Sequence, residues 1–253
     1  MFSRSSVTLI AVVTFMFLAF AFTAVAIDVE CPIIADTLIA GHSSENNMNC
    51  GARESLRVKG YQGIVVFRFD MSPVQGLAVE GATFGAFCRS ISGEATDIAP
   101  TDAISTIAYD WIEGTGDYTV SEDSATYLWP GSGIADTWGE DDNEGSNRYG
   151  PIDVQDVING AGGSIVNSDG VMTFEPDSRS EIELDRELVQ GLVDGSQYGI
   201  VVWRDTVGVN LDLASREWQG GANAATLVVH AEASAVAPGG KLTQRWGALK
   251  SMR

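Results

Sequence analysis

Residues Gly63 to Ser72 read GIVVFRFDMS. Side chains on a strand alternate with a period of two, so Val65, Phe67, Phe69 and Met71 share one face. Ile64, Val66, Arg68 and Asp70 share the other. The stretch predicts a buried strand, yet it places an arginine and a carboxylate in line with isoleucine and valine. Burying a guanidinium is costly unless a carboxylate and hydrogen bonds satisfy it. Glu217, Asp36 and Asp70 are the candidate partners. The favoured arrangement is an internal ion pair of Arg68 with Glu217 that fixes strand register. The alternative is a ligand groove lined by the same two residues.

The same signature recurs on both sides of this stretch. Runs rich in Val, Ile, Phe and Thr occur at ADTLIAG (35–41), SLRVKG (55–60), EGATFGAFCRS (80–90), ISTIAYDW (104–111) and GVMTFEP (170–176). They continue at EIELD (181–185), YGIVVWRD (198–205), VGVNLDLA (207–214) and ATLVVHAE (225–232). Gly, Asn, Asp and Ser punctuate them, which predicts short strands joined by turns. One helical piece interrupts the series, DRELVQGLVDG, with Asp185 as N-cap and Gly195 just past its end. The pattern predicts an all-β sandwich with a short connecting helix. Residues 112–170 form one connection too long for a plain turn, and such loops are usually functional or disordered. Trp129, Trp138 and Tyr149 within it argue for order.

The chain opens with Arg4, an apolar run from Val7 to Phe22 and the small-residue site Ala24-Val25-Ala26. This predicts a signal peptide over 1–26, cleaved after Ala26, and a secreted or cell-surface protein. An uncleaved anchor is the alternative, because the 21 residues from Val7 to Ile27 are just long enough to span a bilayer. The domain proper then covers 27–233, and 234–253 is a Pro-Gly linker with a basic tail. In that tail Leu242, Trp246 and Leu249 would share one helical face, suited to a partner or the cell surface. The sequence carries 34 acids against 15 Lys and Arg. Residues 27–233 hold all 34 of the acids and ten of the bases, with Lys59 their only lysine. Such a surface repels nucleic acid and other polyanions, which excludes nucleic-acid binding. Of the three cysteines, Cys31 and Cys50 flank the first strand and its following loop and are the expected disulfide, with Cys88 buried.

Taken in order, ADTLIAG, NCG before ESLRVKG, VVFRFDMS, VEGATFGAFC, ISTIAYDWIEGTG and ASREW followed by ATLVVHAE resemble the DNRLRE domain, which overlaps carbohydrate-binding module family 96. The resemblance covers about 27–233. It implies a jelly-roll-like antiparallel β-sandwich, secreted and usually non-catalytic, of the kind found in polysaccharide-associated bacterial proteins. Its RFD and SRE motifs would fall on structural strand ends. The acidic GEDDNEGSNRYG departs from the family's usual loop, so an anionic ligand such as alginate does not follow.

The expected function is therefore a non-catalytic module for a polysaccharide or cell-surface glycan. Sugar C–H faces stack on exposed aromatic rings, and Trp138, Tyr149, Trp203 and Trp218 are the candidate ligand-binding residues. In EDDNEGSNRYG, Asp141, Asn143 and Asn147 alternate as calcium ligands do, although the EF-hand pattern fails at Gly145 and Ile152. Calcium is the one cofactor this suggests, with Asp36 and Asp212 as alternative ligands from strand ends. No G-x-S-x-G, H-E-x-x-H or P-loop occurs, and His42 and His230 lie in unrelated contexts. Glu113 beside Trp111 is read as a solvated glutamate rather than a general acid. A structural surface or matrix protein and a small carboxylate-dependent glycosidase or polysaccharide lyase are the alternatives.

Overall fold

A computed structural model describes residues 25–42, 44–93, 101–107, 109–134, 138, 171–204 and 209–233. In chain order the strands are β1 (Val25–Cys31), β2 (Ile33–Ala40), β3 (Met48–Asn49), β4 (Ser55–Val58), β5 (Gly63–Phe69), β6 (Ala78–Gly93) and β7 (Thr101–Thr106). They continue with β8 (Thr119–Val120), β9 (Val171–Thr173), β10 (Ser178–Asp185), β11 (Ile200–Trp203), β12 (Val209–Ala214) and β13 (Thr226–Ala233). Helix α1 (Arg186–Asp194) joins β10 to β11. The chain divides into a unit spanning Asp28–Ala231, described here, and a second made of Met1–Ile27 with Glu232–Arg253.

One sheet runs β1-β13-β6-β12-β4 with β10 also on β6, and the other runs β2-β5-β11-β7-β9. The short β3 and β8 pair with each other. Successive strands β4 to β7 and β9 to β12 alternate between the two sheets, whereas β12 and β13 lie in the same one, as in a jelly-roll-like sandwich. Pairing is antiparallel: β5 lies between β2, with Ala40 opposite Gly63, and β11, with Ile200 opposite Phe67. β6 is long enough to take two partners in succession, β10 over Gly81–Cys88 and β12 over Cys88–Gly93.

β5 is buried on both faces, and each face belongs to a different core. Val65, Phe67 and Phe69 enter the space between the sheets, where they meet Phe84, Ala86, Leu213 and Leu227. The Phe67 and Phe84 ring centroids lie 5.7 Å apart, and Phe69 meets Phe84 edge-on at 6.3 Å. Leu188, Val189, Leu192 and Val193 close this core from one stripe of α1. α1 follows the extended Asp185 and stops at Gly195, whose φ of 77° is the left-handed conformation a glycine tolerates best. Ile64 and Val66 point the other way. They meet Ile39, Val201, Ile107, Trp111, Tyr127 and Trp138 in a second core outside the β5 sheet. Ile107, residues 109–134 and Trp138 thus form a cover over that sheet.

The cysteines correct the sequence reading. Cys31, Cys50 and Cys88 are all buried free thiols, so the expected Cys31–Cys50 bridge is absent. The two sit in different surroundings, Cys31 beside Asp70 and Cys50 beside Arg53, Glu45 and Asp117. Burial pushes the Cys31 thiol up to about 11 and those of Cys50 and Cys88 to about 12, which leaves them protonated and unreactive.

Candidate functional site

The densest charged cluster joins three segments that are remote in sequence. β2 supplies Asp36, the cover supplies Glu113, and the turn after β12 supplies Arg216 and Glu217. Glu113 takes a bidentate pair from Arg216, Nε to Oε1 at 2.9 Å and Nη2 to Oε2 at 2.5 Å. The Asp36 N–H donates to the same Oε1 at 2.7 Å, and the Arg216 N–H donates to Asp36 Oδ2 at 2.8 Å. Glu217 lies 3.2 Å from the Arg216 Nε. Two carboxylates, Glu113 and Glu217, thus contact one guanidinium, and a third, Asp36, takes the backbone N–H of the same arginine. Asp36 is 0% exposed, and its Oδ1 and the buried Glu217 Oε2 have no hydrogen-bond partner among the described residues. Burial is the main cause that pushes the Asp36 carboxyl up to about 8, with Glu217 and Glu113 adding to it against the Arg216 N–H and guanidinium.

Asn49 of β3 locks the cover into this junction. Its side-chain amide donates to the carbonyls of Glu113 at 2.6 Å and Ala125 at 2.9 Å, and its Oδ1 accepts the Gly116 N–H at 2.8 Å. Gly114 turns with φ of 74°, and a Cβ there would sit 2.4 Å from Ser124 Oγ, so the close approach requires glycine. Glu113 is therefore an ion-paired clamp, which corrects its reading as a solvated glutamate. A neutral acid beside a paired carboxylate resembles glycosidase chemistry. Here Asp36 is enclosed and Glu113 faces Arg216, so a glycosidic oxygen has no approach.

Arg68 does not meet Glu217, which corrects the predicted ion pair. Its Nη2 donates to Asp110 Oδ1 and, at 2.9 Å, to the Trp111 carbonyl, while Nε donates to the Tyr198 carbonyl at 3.3 Å. The guanidinium lies over the Trp111 ring, 4.6 Å from its centroid. The register-fixing buried pair lies elsewhere, between Arg204 and Asp102. Nε–Oδ1 is 2.8 Å and Nη2–Oδ2 is 2.5 Å, with side chains 4% and 0% exposed. Sequence reasoning missed it, together with Arg216 and Asn49. Arg204 stood in the quoted YGIVVWRD and Arg216 in ASREW, so a fixed charge beside a Val-rich run was the available signal.

The three candidate aromatics among the described residues, Trp138, Trp203 and Trp218, do not form one platform. Trp138 is fully buried in the second core and its Nε1 donates to the Thr126 carbonyl at 2.8 Å, which corrects its assignment as a ligand-binding ring. Trp203 is half-buried and donates to Ser105 Oγ at 3.0 Å. Tyr149, with Asp141, Asn143 and Asn147, lies outside the described residues. Trp218 is half-buried, stacked on Phe87 at 5.5 Å and 28°, with the Arg89 guanidinium 4.9 Å from its ring centroid. Phe87 shares the outer face of its sheet with Arg179, which donates to Thr226 Oγ1 at 3.2 Å, and with Thr83, which meets His230 Nε2 at 2.9 Å. His230 also meets Asp28 at 2.8 Å and Glu183 at 3.3 Å.

Asp212 accepts hydrogen bonds from Ser55 and Ser90, both at 3.1 Å, and lies 3.6 Å from Arg57. It and Asp36 are thus committed to separate networks. Among the described residues no group of three or more His, Cys, Asp or Glu is arranged to hold a metal ion. Nor is any helix among them long and apolar enough to cross a membrane. No protein-family model and no curated protein matches the chain.

Proposed function

We propose that the chain is an exported, non-catalytic binding module for a polysaccharide or cell-surface glycan, and a divergent relative of the DNRLRE domain. The observation that carries the reading is the Trp218–Phe87 stack on an open antiparallel face. A stacked pair held by Arg89 offers a rigid ring to a sugar, and a ring fixed before binding loses little entropy when the sugar arrives. Beyond it Arg179, Thr226, Thr83 and His230 continue along neighbouring strands as hydrogen-bonding groups. Flat sheet faces of this kind suit an extended chain. Calcium on Asp141, Asn143 and Asn147 belongs to the same proposal as a support for the acidic segment.

The test is a glycan array probed with the secreted protein, with and without EDTA, alongside Trp218→Ala. Retention of one glycan class, lost in Trp218→Ala at an unchanged melting temperature, is the expected result. Retention unaffected by the substitution removes the platform from the reading, and release of reducing sugar or unsaturated product replaces it with the enzyme alternative.

A further inference from the structure

A cleft of about 400 Å³ opens at the end of β5, lined by neither Trp218 nor Phe87. Its wall combines the exposed Ile34 with Met71 and Leu192, and its polar groups include Arg68, Asp70 and Asp110. That volume and that mixture are typical of a small-molecule site. The charges in it are not balanced. Arg68 is matched by Asp110, with which it pairs directly, and it is further tied to two backbone carbonyls. Asp70 has no cation paired with it among the described residues. Its carboxylate is nevertheless oriented, since Oδ1 accepts the Ser72 N–H at 2.9 Å and Oδ2 accepts the Ser72 hydroxyl at 3.0 Å. Those two bonds hold the acid below the usual carboxylate range, so it stays ionised.

We infer that this cleft binds a small ligand bearing a primary ammonium group, which Asp70 receives while Ile34, Met71 and Leu192 cover the ligand's carbon body. An oriented, ionised carboxylate beside apolar wall recognises an ammonium by a charge-assisted hydrogen bond. It disfavours a carboxylate or sulfate by like charge. The ammonium could belong to an amino sugar or to an aliphatic amine, and the Gln75 side chain in the lining, whose Nε2 donates to the Val193 carbonyl at 2.7 Å, offers its oxygen to the hydroxyls of the former. The inference does not depend on the sheet-face reading.

The experiment is calorimetric titration of the full secreted chain at low salt with glucosamine and with 1,4-diaminobutane. N-acetylglucosamine and glucuronate serve as the neutral and anionic counterparts. Expected is one site per chain for at least one amine, at least about tenfold weaker in Asp70→Asn and unchanged in Glu175→Gln, an exposed acid elsewhere. Asparagine keeps the turn with Ser72, so the variant remains folded. Binding of glucosamine that weakens in Gln75→Ala identifies the source as an amino sugar; binding of 1,4-diaminobutane without binding of glucosamine identifies it as an aliphatic amine. No binding of either amine, equal binding of N-acetylglucosamine, or equal losses in Asp70→Asn and Glu175→Gln would overturn the inference.

Discussion

Replacing Asp36 with asparagine is expected to stabilise the protein progressively as pH rises from about 4 to about 8. The carboxyl titrates near 8 in the folded protein against an ordinary value of 3.8. Its folded pKa lies above its unfolded one, so between these values the native state keeps a proton that the unfolded chain has released. The stability contribution is fully present below pH 4 and is lost as pH climbs through the folded value. Each unit of separation corresponds to about 1.4 kcal/mol, so the whole window amounts to on the order of 6 kcal/mol, an upper bound if water reaches the ionised site. Asparagine mimics the protonated acid, with one oxygen for the Arg216 N–H and one donor where Oδ1 has no partner. Urea denaturation of both proteins between pH 4 and 9 supplies the difference in unfolding free energy. That difference should rise by about 1.4 kcal/mol per unit and level off above pH 8. Asp70 and Asp194, which titrate low and act with the opposite sign, and Asp102, which burial raises, occur in both proteins and cancel. A difference that stays flat from pH 5 to 8 would refute the claim that burial, reinforced by Glu217 and Glu113, holds a proton at Asp36.

Asp102→Ala strands the buried Arg204 guanidinium and should cost about 3–5 kcal/mol. Asp110→Ala removes a half-exposed carboxylate and leaves Arg68 with its carbonyl partners, and should cost about 1 kcal/mol or less. Equal costs in urea melts would contradict the ranking by burial. Ellman's reagent should find no reactive thiol in the native protein and three after unfolding, since the structure has three buried free cysteines; a lower count in denaturant would indicate a disulfide. The melting temperature in the presence of chelator should rise with sodium chloride, because 34 acids against 15 bases repel one another until screened. A flat or falling trend would show that this repulsion is already relieved by local pairing.

The strands were legible because their signals are local. Alternation and turn residues mark β2, β4 to β7 and β9 to β13, and the charged start and glycine stop mark α1. The two-residue β3 and β8 are too short to show a period, and β1 was masked by the small residues read as a cleavage site. Partners were much less legible, because a side chain's neighbours depend on where a remote segment crosses the sheet. Arg68 invited a pairing with SRE, yet the cover brought Asp110 to it and left that motif's own arginine, Arg216, to organise Asp36, Glu113 and Glu217. Trp138 misled for a related reason. Its neighbours in sequence are glycine and acid, which suggests solvent, whereas its neighbours in space are the apolar side chains of the second core. One clue to that outcome did lie in the opening stretch. Ile64 and Val66 are as apolar as Val65 and Phe67, and one inter-sheet core can bury only one face of a strand. A second apolar face needs a second cover, and the long connection after β7, with Trp111, Tyr127 and Trp138 among its aromatics, was the segment available to supply it.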